Sequence, residues 1–206
     1  MSGTVEVTAL FWDVGGVILN NGWDRDLRKA AIERFHLDRD EFQDRHELTN
    51  PAFEMGQISL DEYLHCTVFH RPRPFTPDEF KSFILEQSRE LPESRAVLDA
   101  VTRTGKYFMA VISNEGREMN EYRIDRFDLR RNFAAFFSSC YVGIRKPDEA
   151  IFRLALDITR RSPRECLFID DRSINVEYAG RLGMRTIQFQ NAEQLRQELV
   201  SHGVTS

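Results

Sequence analysis

A carboxylate follows an apolar run near the start of the chain, and two glycines come shortly after it. Residues 9–12 are apolar and lead to Asp13, and Gly15 and Gly16 follow. An aspartate at the end of a buried strand is a candidate nucleophile. A second carboxylate two residues later would provide general acid and base catalysis, but the chain has Gly15 there. The segment therefore predicts a nucleophile without an adjacent proton donor.

Three further groups of polar residues follow later apolar runs. They are Ser113-Asn114, Lys146 and Asp170-Asp171. Ligands of an open parallel sheet bind beyond the carboxyl ends of its strands, so a carboxylate, a hydroxyl with an amide, a lysine and an acid pair would converge on one crevice. Each group alone is also typical of a turn, a solvated helix start or a helix cap. Their occurrence together and in this order favours a shared site.

The elements that must position these residues are predicted from hydrophobic patterning. Five apolar runs, most of them followed by a helical pattern, predict parallel strands joined by crossover helices. The predicted strands are residues 9–12, 107–112, 136–142, 166–169 and 185–189. Predicted helices between them cover residues 93–104, 148–159 and 175–182, and proline or glycine marks a start or an end of each.

Residues 19–91 differ from the rest because they contain several helix starts and no convincing strand. Ser59 with Glu62, and Thr76 with Glu79, fit the capping box, in which side chains satisfy the free backbone groups of a helix N-terminus. Helices are also plausible at residues 27–35 and 41–48, and the Pro-rich residues 71–74 predict a stiff connector. The pattern predicts an all-helical insert after the first strand.

Composition limits the class of partner. The 206 residues are 41% hydrophobic and 30% charged, with a formal net charge of -5. Nucleic-acid binding usually needs a basic face and a high pI, so we expect a small substrate and no nucleic-acid partner. No apolar run approaches the roughly 20 residues of a membrane-spanning helix, and nothing after Met1 resembles a signal peptide. We therefore predict a cytoplasmic protein with no membrane partner; its oligomeric state is not indicated.

Cysteine and histidine offer no sharper chemistry. The three cysteines are widely spaced without a CxxC pair, so neither a disulfide framework nor a zinc site is indicated. The histidines of the insert, His36, His46, His65 and His70, show no metal-ligand spacing. We predict surface or cap positions for them.

The polar groups together resemble the four motifs of the haloacid dehalogenase superfamily. Residues 13–17 match its first motif, Ser113-Asn114 its second, Lys146 its third and Asp170-Asp171 its fourth. Residues 53–59 are similar to sequences in the branch that contains the amino-terminal phosphatase domain of soluble epoxide hydrolase and bacterial glucose-1-phosphate phosphatases. The resemblance covers essentially the whole chain.

The resemblance implies a fold and two domains. The fold is α/β, with a Rossmann-like doubly wound parallel sheet and an all-helical cap of the C1 type inserted after the first strand. Residues 1–18 and 92–206 would form the core domain, and residues 19–91 the cap domain. Cap loops would contribute to substrate specificity.

The resemblance also implies roles at the site. Asp13 would attack phosphorus, Ser113 and Asn114 would bind phosphoryl oxygens, and Lys146 would neutralise charge. Mg²⁺ would be bound directly by Asp13, Asp171 and the backbone carbonyl of Gly15, and by Asp170 through water. The charges agree with this, because Lys146 offsets only one of three carboxylates and Mg²⁺ prefers oxygen ligands.

Gly15 is the departure from the family pattern, since phosphatases of the family carry a second Asp there. Loss of a general acid/base costs about 10²- to 10⁴-fold in rate. Our hypothesis is a Mg²⁺-dependent phosphatase that acts on a small phosphorylated metabolite, such as a sugar phosphate. The alternative is a catalytically weak or inactive protein that binds a phosphorylated ligand. A 2-haloacid dehalogenase is less favoured, because it needs no metal and no Asp170-Asp171 pair.

Overall fold

Five strands form one parallel sheet in the computed structural model, which describes residues 5–205. The strands are β1 (Ala9–Trp12), β2 (Phe108–Ser113), β3 (Ala135–Ser138), β4 (Cys166–Asp170) and β5 (Arg185–Gln188). Their order across the sheet is β3-β2-β1-β4-β5, and every pair is parallel. The predicted α/β fold with a doubly wound parallel sheet is confirmed.

The central strand β1 is completely buried, with apolar clusters on both faces of the sheet. Its neighbours are apolar at successive positions for the same reason, because helices cover both faces of a parallel sheet. The register pairs Trp12 with Val111 on one side and with Ile169 on the other. Asp13 and Asp170 therefore emerge side by side at the carboxyl edge, with Ser113 at the end of β2.

The third strand is shorter than the sequence predicts. Residues 136–142 were expected to be one strand, but β3 ends at Ser138 and Ser139–Val142 forms a short helix, α7. The Ser139 hydroxyl donates to the carbonyl of Glu54 (2.6 Å) and accepts from the backbone N–H of Glu115 (3.0 Å). Gly143 then ends α7 in the left-handed conformation. These distant contacts, rather than the apolar letters of residues 140–142, determine where the strand ends.

Helices cover the sheet and form the insert. Those of the sheet are α5 (Pro92–Arg103), α6 (Arg117–Arg126), α8 (Glu149–Thr159), α9 (Ser173–Arg181) and α10 (Ala192–Ser201). Those of the insert are α1 (Arg25–Phe35), α2 (Arg39–Glu54), α3 (Leu60–Thr67) and α4 (Pro77–Glu86). The predicted helices are confirmed, and their ends agree with the structure to within about two residues, except for α2. Among residues 5–205, none of the helices is both long and apolar enough to cross a lipid bilayer.

Helix α2 is twice the predicted length because its buried face continues past a proline. We expected residues 41–48, whereas the helix runs from Arg39 to Glu54 with Pro51 inside it. Phe42, His46 and Phe53 are all buried on this helix. Their packing outweighs the hydrogen bond that proline removes.

The four helices of the insert share an apolar cluster that is rich in aromatic rings and also includes Met119 of α6. Trp23 contacts Phe42 and Phe80 edge to face, with ring centroids about 6 Å apart. The two predicted capping boxes are confirmed at the starts of α3 and α4, where Ser59 and Thr76 each exchange hydrogen bonds with the glutamate three residues later. The insert therefore has defined helix starts and a buried core.

We expect Thr76→Ala to lower the free energy of unfolding by about 1 kcal/mol, because the N-terminus of α4 loses its cap. Ser82→Ala, an exposed position inside the same helix, is the matched control and should change stability little. Chemical denaturation of both variants measures the difference. Equal stabilities would contradict the assigned cap.

Candidate active site

A buried lysine joins two carboxylates at the carboxyl edge of the sheet. The Lys146 Nζ lies 3.0 Å from Asp13 Oδ2 and 2.6 Å from Asp170 Oδ2. The Lys146 side chain is 1% exposed and that of Asp170 is fully buried. Buried charges are stable only when they are paired and hydrogen-bonded, so these groups form a single electrostatic unit.

The backbone holds the Asp13 carboxylate in one orientation. Its Oδ1 accepts a hydrogen bond from the Val14 N–H (2.8 Å), which leaves Oδ2 toward Lys146. The Asp13 N–H donates to the carbonyl of Ile169 (2.8 Å), which continues the pairing of β1 with β4. Asp13 is therefore positioned as a nucleophile would have to be, at the end of the central strand.

Asn114 connects the ends of β2 and the loop that carries Lys146. Its Oδ1 accepts from the Lys146 N–H (2.8 Å), and its Nδ2 donates to the Lys146 carbonyl (2.9 Å). Ser113 is buried and lines the adjacent cavity, and its hydroxyl forms no hydrogen bond among the described residues. Phosphate binding by Ser113 and Asn114 stays a prediction.

Asp170 and Asp171 differ in how their oxygens are used. Asp170 accepts from Lys146, from the Arg172 N–H (2.8 Å) and from Asn175 Nδ2 (3.0 Å to each oxygen). The Asp171 Oδ1 is buried and has no hydrogen-bond partner among residues 5–205. A buried oxygen without a partner is costly, so Asp171 is the acid of this pair that is available to a cation.

The residues fit a divalent cation. Asp13, Asp170 and Asp171 each offer an oxygen atom, and these atoms lie within 4.8 Å of one another. The carbonyl of Gly15 accepts no backbone hydrogen bond among the described residues, so it is available as a further oxygen. An all-oxygen set of this kind suits Mg²⁺. The unpartnered oxygen of Asp171 is the observation that favours an ion here.

Crowded carboxylates change the proton affinity of the site. Burial raises the pKa of Asp13 from 3.8 to about 7, with Asp170 and Asp171 adding to the rise and Lys146 opposing it. Burial and Asp170 also raise the pKa of Asp171. Because the folded-state pKa of Asp13 lies above its ordinary value, ionising Asp13 destabilises the fold as the pH rises from about 4 to about 7. A bound cation would favour the ionised forms.

The two glycines after Asp13 are not equivalent. Gly16 has a φ of +76°, which strains any residue with a side chain, and a Cβ added there would lie 2.4 Å from Asp171 Oδ2. At Gly15 an added Cβ would lie 3.4 Å from Asn21 Oδ1 and 3.8 Å from Arg123 Nη1, which are ordinary contacts. Glycine is therefore strongly favoured at position 16, whereas nothing in the backbone or the packing favours it at position 15.

A buried ion pair lies beside Gly15, and sequence reasoning missed it. The Arg123 Nη1 donates to Glu115 Oε2 (2.5 Å), and its Nη2 donates to the carbonyl of Asn20 in the linker to the insert. Burial raises the pKa of Glu115, while Arg123 opposes the rise. No motif or spacing marked either residue, because the pair forms only when α6 packs against the residues that follow β1.

The polar edge of the sheet and the insert enclose a cavity of about 430 Å³. Asp13, Ser113, Asn114 and Lys146 line its core side, together with Gly15. Trp23, Arg28, His46 and Asn50 line the side of the insert. The cavity is thus polar on both sides and includes four of the predicted site positions together with Gly15, while Asp170 and Asp171 lie next to Asp13.

The prediction of a surface or cap position is wrong for His46, while His36 does cap α1. His46 is 6% exposed, and its Nδ1 lies 2.7 Å from the hydroxyl of Tyr63. The long buried face of α2 carries it inward. A sequence signal existed in Phe42, four residues earlier and so on the same helix face.

A parallel sheet with this order and these four groups of polar residues at its carboxyl edge defines a class of α/β hydrolase. The sequence of residues 7–183 matches the haloacid dehalogenase-like hydrolases, and the chain belongs to that family. The resemblance predicted from the motifs is confirmed.

Two relatives and one solved structure indicate its place in the family. The chain is 36% identical to bifunctional epoxide hydrolase 2 of Sus scrofa over 218 residues, covering 93% of this chain and 38% of that protein. It is 29% identical to D-ribitol-5-phosphate phosphatase of Bacteroides thetaiotaomicron over 210 residues, covering 92% and 95%. It spans about a third of the length of several curated relatives that it matches.

The solved structure is the HAD family enzyme BT-2542 of Bacteroides thetaiotaomicron. It aligns with a TM-score of 0.78 at 20% identity, covering 90% of this chain and 94% of that one. That enzyme has also been solved in complex with magnesium and inorganic phosphate, a form that aligns with a TM-score of 0.72. At this identity the likeness shows a common fold.

We expect the protein to bind Mg²⁺ and Asp171→Asn to bind it more weakly. The loss should exceed about tenfold, because even residues that only orient a metal ligand are worth about 10- to 100-fold in affinity. Asp148→Asn, at the N-cap of α8, is the matched control and should bind Mg²⁺ as the wild type does. Isothermal calorimetry measures all three proteins. Equal affinities would exclude Asp171 as a ligand.

Proposed function

We propose that the protein is a Mg²⁺-dependent phosphatase that cleaves a small phosphorylated metabolite, such as a sugar phosphate, through an aspartyl-phosphate intermediate. The observation that carries the proposal is the buried Lys146 between Asp13 and Asp170, beside the unpartnered oxygen of Asp171. Relatives that are phosphatases by name, one of them matching over nearly its whole length, support this class of reaction.

Each residue would have a defined part in the first step. The Asp13 Oδ2 attacks phosphorus, and the bond from phosphorus to the leaving oxygen breaks. The Ser113 hydroxyl and the Lys146 ammonium stabilise the charge on the phosphoryl oxygens, which is usually the largest share of such catalysis. Mg²⁺, when bound by Asp13, Asp171 and the Gly15 carbonyl, would neutralise charge on the same oxygens. Water then hydrolyses the aspartyl phosphate and regenerates Asp13.

Gly15 limits which leaving groups this site can expel. Position 15 has no carboxyl group that could protonate the leaving oxygen. The absence of such a general acid lowers the reaction rate by about 10²- to 10⁴-fold. The loss matters least where the leaving oxygen is already stable as an anion. We therefore propose anomeric or acyl phosphates as better substrates than simple alkyl phosphates.

The proposal also assigns a role to the helical insert. We propose residues 19–91 as the cap domain over a core of residues 1–18 and 92–206, because the cavity lies between α1 and α2 on one side and the carboxyl edge of the sheet on the other. The cytoplasmic location and the absence of nucleic-acid and membrane partners stay predictions from the sequence.

A second candidate function is favoured by Gly15 alone. A protein that binds a phosphorylated ligand without turnover would keep Lys146 and the acid pair and would have no need of the missing carboxylate. Single-turnover hydrolysis separates the two functions, since both would bind ligand. A 2-haloacid dehalogenase is a poorer fit, because it attacks carbon without a metal and gains nothing from Asp171.

We expect Asp13→Asn to abolish Mg²⁺-dependent phosphate release from a panel of phosphorylated metabolites, because the amide is not a nucleophile. Chelation of the metal should have the same effect on the wild type. Phosphate release measured with purified protein, with Asp148→Asn as a folded control, tests both. Turnover that survives the substitution or the chelator would exclude this mechanism.

We expect Gly15→Asp to raise turnover of alkyl phosphates, by up to about 10²-fold, because it restores a general acid. The Cβ fits in the space beside Asn21, and Arg123 is already paired with Glu115. Gly15→Asn is the matched control, having the same shape and no acid. Steady-state rates on an alkyl and an anomeric phosphate distinguish them, with the smaller gain on the anomeric one. If both variants folded and neither was faster, our account of Gly15 would be wrong.

A further inference from the structure

The side of the cavity formed by the insert contains a hydrogen-bonded chain of three aromatic side chains. The Trp23 Nε1 donates to the Tyr63 hydroxyl (2.7 Å), and that hydroxyl lies 2.7 Å from His46 Nδ1. An indole N–H can only donate, so the hydroxyl accepts from Trp23. Its own hydrogen has no acceptor other than His46 among the described residues, so we assign it to the bond with His46. The His46 Nδ1 is therefore an acceptor, and the ring proton resides on Nε2.

His46 is held as a neutral donor at the cavity surface. Burial and the charge of Arg28 lower its pKa to about 4, so the ring is neutral near pH 7. Its Nε2 forms no hydrogen bond among the described residues, although the side chain is more than nine-tenths buried and lines the cavity. The Nε2 atom itself is not cut off from the cavity, so this oriented donor is free to bond a ligand there.

Arg28 places an unpaired positive charge beside this donor. Its Nη1 donates to the carbonyl of Trp23 (2.6 Å) and its Nε donates to Gln43 Oε1 (3.3 Å). These bonds orient the guanidinium without neutralising it, and no carboxylate lies within 4.0 Å of it in the part of the chain that the structure describes. Burial lowers the pKa of Arg28, the direction expected for a cation that is drawn out of water.

Three other cations that line the cavity have acidic partners, whereas Arg25 and Arg172, also in its lining, are exposed to solvent. Arg123 pairs with Glu115, and Lys146 pairs with Asp13 and Asp170. Arg145 pairs with Glu54 at 3.0 Å. The half-buried Arg28 thus differs from these three in having a fixed orientation and no carboxylate in contact, although Asp24 and Glu47 act on it from farther away. It lies opposite the predicted phosphate position.

We propose that Arg28 and His46 form a second anion subsite, which binds a carboxylate or a second phosphoryl group at the far end of the substrate. The inference rests on the proposed function, because it takes the phosphoryl group at Ser113 and Lys146 as the first anchor. The cavity of about 430 Å³ has room for a small metabolite that reaches both groups. The substrate class is then a small metabolite with one anionic group at each end.

Non-hydrolysable phosphonates test the subsite without requiring turnover. The ligands are 3-phosphonopropionate, propane-1,3-diphosphonate, 3-hydroxypropylphosphonate and n-propylphosphonate, each titrated calorimetrically with Mg²⁺ present. We expect at least one doubly anionic ligand to bind about tenfold or more tightly than the hydroxyl and methyl ligands, as a hydrogen bond to a charged group is worth that much. The tighter of the two identifies carboxylate or phosphoryl as the second group.

Variants then assign the preference to these residues. Arg28→Gln should remove the advantage of the doubly anionic ligands and leave n-propylphosphonate unchanged, whereas Arg34→Gln, on the same helix and away from the cavity, should preserve it. His46→Leu should reduce the advantage, and His46→Gln, which keeps a donor, should retain more of it. Thermal unfolding verifies that each variant is folded.

The binding and activity measurements test the anion subsite and the phosphatase reaction separately. Equal affinity for all four phosphonates would overturn the subsite, as would an advantage that persists in folded Arg28→Gln. A wild type that binds phosphonates with this preference yet releases no phosphate from any substrate would overturn the phosphatase and support the subsite. Tight binding of the hydroxyl ligand alone would overturn the assignment of an anion.

Discussion

Three carboxylates share one buried edge of the sheet with a single lysine, and the rest of the site depends on that imbalance of charge. Lys146 bridges two of the acids, while the third keeps an oxygen without a partner. The excess negative charge, together with burial, raises the proton affinity of Asp13. The three carboxylates and one lysine leave about two excess negative charges, which a divalent cation would offset, so a phosphoryl group would meet a site near neutrality instead of an anionic one. Binding and activation of the nucleophile are therefore one electrostatic event.

Main-chain hydrogen bonds fix the relative positions of the charged groups at the site. The parallel register places Asp13 level with Asp170, and the two hydrogen bonds between Asn114 and the backbone of Lys146 fix the lysine relative to β2. Contacts of Ser139 with Glu54 and Glu115 then connect the sheet to α2 of the insert. Charged groups are held by backbone atoms in a rigid sheet, which limits their reorganisation during reaction.

Local patterns in the sequence predicted the strands and the capped helix starts. Features that depend on contacts between residues far apart in the chain could not be predicted. Apolar runs located all five strands, and the capping boxes at Ser59 and Thr76 marked two helix starts correctly. The end of β3 could not be predicted, because it depends on hydrogen bonds of Ser139 to residues far away in the chain. The buried positions of His46 and of the Arg123–Glu115 pair were missed for the same reason, since burial of a polar residue depends on partners that no spacing reveals.

The tolerance of position 15 bears on what a single substitution could change in this site. Its backbone conformation is open to any residue, and a side chain there would meet ordinary contacts, unlike at Gly16. Every glycine codon is a single base change away from a codon for aspartate or glutamate. An acid at this position is therefore within immediate mutational reach, and packing does not prevent it.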